Sequence, residues 1–358
     1  MGDTYLYAVL PTQSVSLHVP ELWVGFLLSI NRFIRIVANR WILPFFNRFG
    51  FYRLTLVASG TAVISTLLYG VSAHLVLWIF ARLLWAFSYA ILRLSSLSYS
   101  LETRQKGLSL GLSKGIQEIG PLLALLLGPV LGSYGSPHTT FLWLGGLSVL
   151  SLIFASRLEQ RTHKFSTQAP VFSFVPGSFN FLVFLSAFFI EGLLVVVLGR
   201  LFQSESTAPL ELLGLVAFYL AFRRVSLFAI SPAAGFLADR IGLNTVFFLA
   251  MSLSIVSLLS IGLGFYTPGI IGCFLANSVS SALGPGTLGG DAETRLHALA
   301  ANLSWRDLGA ALGALAGGFL LGFNSIQPFF LIATFVLALA LLFYYRSINH
   351  PVYKYGSN

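Results

Sequence analysis

Twelve ionisable side chains interrupt stretches otherwise rich in Leu, Phe, Val, Ile and Ala: Asp3, Arg32, Arg35, Arg82, Arg93, Lys114, Glu118, Glu191, Arg223, Arg224, Arg306 and Asp307. In hydrocarbon a charge is expensive, so such residues face a bundle interior, water or one another. Glu191 lies between Phe188-Phe189-Ile190 and Leu193-Leu194-Val195. A carboxylate withdrawn from water can exchange a proton near neutral pH, which is the chemistry of proton coupling. The competing reading is a fixed ion pair with a basic residue of a neighbouring helix. Asp3, Glu118 and Asp307 are further proton-coupling candidates. Lys114 precedes Glu118 by four residues, a spacing that allows a same-face helical pair, and Arg306 adjoins Asp307.

The basic members suggest a second kind of chemistry. Arginine holds carboxylates and phosphates in a two-pronged fork, so Arg32 and Arg224, if they line a cavity, make an anionic solute attractive. For Arg35 and Arg93 the alternative is snorkelling to an interface. Asn31, Trp85, Tyr89 and Trp305 complete the set of substrate-cavity candidates. Trp78 and Trp143 fall near segment ends and read as interfacial anchors. Gly309, Gly313, Gly317 and Gly318 form a small-residue face suited to close helix approach. The six His are isolated, and no metal-ligand cluster, nucleophile elbow or Walker ending appears, so neither an enzyme, a cofactor nor a metal is expected.

The elements that must position these residues are membrane helices. Hydrophobic residues make up 56% of the chain and charged residues 9%, against about 25% charged in an ordinary soluble domain. Net charge is +9, but the charges lie in short breaks between apolar runs, which argues for topology signals rather than nucleic-acid binding. The single Cys273 rules out an intrachain disulfide. Twelve apolar segments can be marked, at 1–11, 21–38, 54–72, 75–96, 112–132, 139–156, 178–199, 211–233, 245–264, 269–289, 298–322 and 328–345. All but the first approach the roughly 20 residues needed to cross a bilayer. Twelve Lys and Arg fall in alternate breaks and only Arg200 in the others. The positive-inside rule then puts the basic breaks and the C-terminus in the cytoplasm.

The chain is also built twice. Asn39 to Gly50 is echoed by Ser231 to Gly242, Glu102-Thr103-Arg104 by Glu293-Thr294-Arg295, and Glu118-Ile119-Gly120 by Asp307-Leu308-Gly309. Arg32 aligns with Arg224 and Asp3 with Glu191, all at offsets of 188 to 192. Two six-helix halves related by an axis along the membrane normal follow, with a binding region at their interface.

Gly235-Phe236-Leu237-Ala238-Asp239-Arg240-Ile241-Gly242 resembles the signature that the major facilitator superfamily carries between its eighth and ninth helices. The first copy, Asn47-Arg48-Phe49-Gly50, has Asn where that family has Asp. Arg82 resembles its fourth-helix arginine. Gly115 through Gly120-Pro121, with Gly128-Pro129 and Gly132, resembles the fifth-helix pattern of its exporters. The resemblance implies an all-α membrane protein of two six-helix bundles, here with a first helix shortened at its N-terminus. It implies bundles at 1–156 and 178–345, a cytoplasmic linker at 157–177 and a tail at 346–358. It implies a conformational latch of Asn47, Arg48, Asp239, Arg240 and Arg82, in which Asp239 caps a helix end or meets arginines. The function expected is alternating-access movement of a small organic solute, with the proton as coupling ion and export as the favoured direction. Uptake of a sugar or organic anion, facilitated transport, and a nontransporting receptor or assembly subunit are the alternatives. A monomer in a bacterial inner membrane, among lipid and with no nucleic-acid partner, completes the expectation.

Overall fold

The computed structural model describes residues 1–13, 17, 19, 23, 27, 30, 31, 33–36, 38, 42–71, 74–133, 135–159, 175–202, 209–288, 292–320 and 325–349. Arg32, most of the linker and the end of the tail lie outside them. The described residues are helical, without strands. In chain order the helices are α1 (Gly2–Gln13), α2 (Leu43–Phe49), α3 (Phe51–Val71), α4 (Leu75–Leu101), α5 (Lys106–Ser133), α6 (Pro137–Ser148) and α7 (Leu150–Ser156). Then come α8 (Ser178–Ser186), a π-helical turn (Ala187–Leu193), α9 (Leu194–Leu201), α10 (Pro209–Ile241) and α11 (Leu243–Gly262). After α12 (Tyr266–Leu283) and a 3-10 turn (Gly284–Thr287) follow α13 (Ala292–Leu320) and α14 (Gln327–Asn349).

Eight stretches among the described residues are long and apolar enough to cross a membrane. They coincide with expected segments three to nine and twelve, while α12 and α13 occupy the tenth and eleventh. The chain is an all-helical, multi-pass membrane protein.

The signature residues needed correction as elements. The sequence places them in loops, yet α2 runs through Asn47 and Arg48, and α10 continues through Asp239 and Arg240. Loss of hydrophobicity marks where a helix leaves an apolar environment, not where its backbone stops. The stops are Gly50, at φ 78°, and Gly242, at φ 99°, a region that other residues enter only with strain. Each donates its N–H back into the helix, Gly50 to Phe46 O at 2.9 Å and Gly242 to Ala238 O at 2.9 Å.

Contacts group the chain into two compact units. One comprises Met1–Arg104, Gly115–Pro170 and Leu288–Ser304; the other comprises Gln105–Lys114, Val171–Thr287 and Trp305–Asn358. Thus α5 and α13 each contribute to both. In the first unit, Leu6, Leu10, Leu27, Tyr69, Trp78, Phe141 and Leu144 form a continuous core. Trp78 is fully buried, with its ring 5.1 Å from Tyr69 and edge-on to it. This corrects its assignment to the interfacial belt: the packing of α3 and α6 closes over it. Trp143 is exposed, as expected. In the second unit, Phe179 meets Phe247 at 5.6 Å and Tyr344 at 5.3 Å.

Candidate functional site

Glu191 lies in the π-helical turn of the second unit. Single π turns leave hydrogen bonds of the i→i+4 ladder re-registered and occur often at functional positions. Glu191 Oε1 accepts from Arg306 Nε at 3.0 Å and from Arg306 Nη2. The two side chains keep 14% and 13% of their surface, so water screens this pair little.

Glycines set the close approach that makes the pair possible. A methyl group on Gly309 of α13 would lie 2.3 Å from Phe184 O, and one on Gly313 2.0 Å from Phe188 O. On Gly317 it would lie 2.9 Å from Val196 Cβ and 3.1 Å from Leu193 O. Gly192 reciprocates, its added carbon falling 2.6 Å from Ala310 O. Along α13 the contacts step by four residues, from 309 to 313 to 317. Along the facing helix the carbonyls step from 184 to 188 and then to 193. The five-residue step falls in the π turn, whose i→i+5 register keeps backbone against backbone beyond Glu191. Gly318 faces open space, so the small-residue face is three glycines of α13, with Gly192 opposite.

The first unit holds its own charge pair. Arg82 is fully buried. It donates Nη1 to Asp3 Oδ1, and Nε to Leu27 O at 2.8 Å. Its guanidinium also lies 5.5 Å from the centre of the Tyr7 ring. Asp3 keeps 22% of its side-chain surface. Gly2 beside it abuts Thr66, at 2.5 Å from an added Cβ, and Gly128 of α5 abuts Tyr5 at the same distance. The structure thus sets Arg82 with Asp3, one of the proton-coupling candidates, although the resemblance groups it with the latch.

Below Arg82 on α4, Trp85 and Tyr89 touch, with ring centroids 5.8 Å apart. Arg35 lies over the Tyr89 ring at 4.9 Å. Asn31 is 2% exposed. Trp305 stands edge-on to Phe184 at 6.0 Å. Glu118 and Asp307 are buried, and Arg224 is half-buried.

Asp239 stands at the end of α10 and caps α5. Its Oδ1 accepts from Gly107 N–H at 2.7 Å and its Oδ2 from Leu108 N–H at 2.8 Å. Those amides belong to the first turn of α5, where no intrahelical acceptor exists and the helix dipole favours an anion. Glycines bring the backbones together: an added carbon on Gly111 would lie 2.2 Å from Ser231 O, and one on Gly235 2.2 Å from Gly107 O. Arg240 folds back over Phe236 at 4.2 Å, and Arg48 lies over Phe49 at 5.4 Å. Asn47 is half-buried in the last turn of α2. Sequence reasoning missed the π turn, Gly107 and Gly111 as partners of α10, and the Leu27 carbonyl as an acceptor. The repeat of small residues at 107, 111, 115 was the one available signal for the α5 contact.

No family model and no curated protein sequence matches the chain significantly. Solved structures do match it as a fold. The human organic anion transporter MFSD10 superposes with TM-score 0.71 at 14% identity, over 95% of this chain and 89% of that one. The Escherichia coli fucose:proton symporter FucP superposes with TM-score 0.70 at 14% identity, over 95% and 94%. The proton:xylose symporter XylE, in complex with 6-bromo-6-deoxy-D-glucose, superposes with TM-score 0.72 at 14% identity, over 96% and 92%. The chain has the major facilitator fold.

Proposed function

We propose that the chain is a secondary transporter that moves a small organic solute by alternating access and couples the movement to protons through Glu191. The observation that carries the reading is the occurrence, in each half of the sequence, of a carboxylate in an apolar segment held by an arginine of a different helix: Asp3 with Arg82, and Glu191 with Arg306. Hydrocarbon makes such pairs costly, and a purely structural protein gains little from them. A proton on Glu191 removes one partner's charge and releases Arg306, so protonation and rearrangement are the same event. Asp3 with Arg82 is a second element of this kind. The Asp239 cap on α5, with its backbone contact to α10, supports a latch role for Asp239 and Arg240 because it joins helices from the two halves of the sequence. Solved proteins of this fold include sugar:proton symporters and an organic anion transporter, which supports solute transport and proton coupling together. The glycine- and proline-rich α5 favours export.

The test is transport in proteoliposomes under an imposed pH gradient, with release and uptake measured separately. Glu191→Gln should abolish acceleration by the gradient while solute exchange at equal pH continues. Unchanged acceleration would remove Glu191 from coupling.

A further inference from the structure

The exposed residues of α3 are Arg53, Val57, Ile64 and Val71. Spacings of four and seven put them on one helix face, an apolar stripe with a guanidinium at one end. The neighbouring α7 repeats the pattern. Leu150, Ile153 and Phe154 are exposed, and the exposed Arg157 continues their face by spacings of three and four. The two helices pack antiparallel. A carbon added to Gly60 would meet Leu152 Cδ2 at 3.7 Å, and nearer the end of the pair the Tyr52 O–H donates to Ser156 O at 3.4 Å. Continuing the Gly60–Leu152 register brings Arg157 opposite Thr55, two positions from Arg53 and about 3 Å along the axis at 1.5 Å per residue. Both arginines therefore end their stripes at one level. Among the described residues neither forms an ion pair. Glu159 follows Arg157, but there the chain is drawn toward α4, whose Tyr99 O–H donates to Glu159 O at 3.1 Å. The second half of the sequence does not keep the arrangement. Gly50 and Gly242 each precede a helix, so Arg53 corresponds to Thr245, and only Arg157 has a basic counterpart, Arg346 near the end of α14.

We propose that the Arg53–Arg157 end of α3 and α7 is a binding site for the headgroup of an anionic phospholipid, whose acyl chains lie along the two apolar stripes. Exposed apolar faces of a membrane protein meet hydrocarbon, and an arginine at the end of such a face extends to the headgroup level. Packed helices have axes about 8–10 Å apart, which brings both guanidinium forks to one phosphate-bearing headgroup. A zwitterionic lipid carries its own cation to the same place and sets it against the arginines. An anionic lipid does not, and basic sites between membrane helices select such headgroups. Orienting the chain requires only that basic residues lie on one side of the membrane. It does not require two of them at one level, at the ends of adjoining lipid-facing stripes, and α11 lacks the first of the two. The site is independent of the coupling role of Glu191.

The experiment titrates phosphatidylglycerol and, separately, phosphatidylcholine into the purified full chain in a neutral detergent, reading lipid binding and the midpoint of thermal unfolding. Phosphatidylglycerol should bind the wild type more tightly and raise its midpoint further, and this preference should shrink as salt is added. Arg53→Gln and Arg157→Gln should each weaken phosphatidylglycerol about fivefold, the attraction typical of one basic residue at an anionic surface, and leave phosphatidylcholine unchanged. The double variant should lose the preference, while Arg53→Lys, which keeps the charge, should retain most of it. Both side chains are exposed, so the lipid-free midpoints should match the wild type. Arg346→Gln, at the end with a single cation, should keep the wild-type preference. Equal binding of the two lipids by the wild type overturns the proposal, as does a preference insensitive to salt or one unchanged in the double variant. An equal loss in Arg346→Gln also overturns it, by marking a response to net charge alone. Inorganic phosphate that stabilises the wild type as well as phosphatidylglycerol does would assign the two arginines to a soluble anion and reject the lipid.

Discussion

Gly313→Ala tests the contact on which the Glu191–Arg306 pair depends. The added methyl would sit 2.0 Å from Phe188 O, 2.7 Å from its carbonyl carbon and 2.8 Å from its Cα. All three are backbone atoms, so no rotamer change relieves the overlap. Restoring ordinary carbon–oxygen contact, about 3.5 Å, requires α13 and the π turn to part by roughly 1 Å or more. Overpacking of this kind costs about 1–3 kcal/mol and occasionally more, and the backbone character of every neighbour puts this site at the upper end. With about 2–4 °C lost per kcal/mol in a large domain, the midpoint of thermal unfolding in detergent should fall by roughly 6–12 °C. Gly318→Ala is the internal control. It lies on the same helix with nothing near its added carbon, and Ala should stabilise by about 0.5–1 kcal/mol through helix propensity. Opposite signs five residues apart are therefore expected. Equal midpoints for the two variants would refute the close approach and the account of the π turn built on it.

Asp239→Ala should destabilise by about 1 kcal/mol through loss of the cap on α5, and should change the distribution between conformations, read by accessibility of a cysteine introduced on either face; an unchanged distribution removes the latch role. Arg82→Gln should cost about 3–5 kcal/mol by leaving a buried carboxylate unpaired, and adding Asp3→Asn should recover part of the loss in the same thermal assay; strict additivity would show that the two side chains are uncoupled. Gly242→Ala should cost about 1–2 kcal/mol because its φ of 99° lies where L-residues are strained, whereas Gly146→Ala, helical and with open space around it, should stabilise by about 0.5–1 kcal/mol, as at Gly318.

Much of the architecture is legible in the residues. The common offset between Asp3 and Glu191, or between Glu118 and Asp307, announces two halves, because duplicated helices keep duplicated charges. Gly309, Gly313 and Gly317 could be read as a contact face from spacing alone, since small residues every fourth position have few other uses in a membrane helix. What remained hidden depends on partners distant in sequence. That Asp239 caps α5 follows from a hydrogen bond spanning 132 residues, while sequence restricts an aspartate only to helix ends and cations in general. The burial of Trp78 depends on Tyr69 and Phe141 arriving from other helices. The π turn has no composition of its own: Ala187 to Leu193 would make an ordinary α-helix in isolation, and the extra residue is accommodated because Gly192 can press against Ala310.

The glycine contacts have a mechanical meaning. Where side chains fill the space between two helices, small sliding motions of the packed helices are one of the ways a protein changes shape. Between α13 and the helix carrying Glu191 that filling is missing at Gly309 and Gly313, where the backbone of Phe184 and Phe188 bears directly on α13, and at Gly317 it is reduced to Val196 beside the Leu193 carbonyl. The two behave as one stiff beam with a single soft joint, the π turn, and Glu191 sits in the joint. Displacement of Glu191 from Arg306 therefore cannot be taken up by gradual bending along the beam. It is concentrated in one re-registered turn, a short hinge whose travel is about one residue.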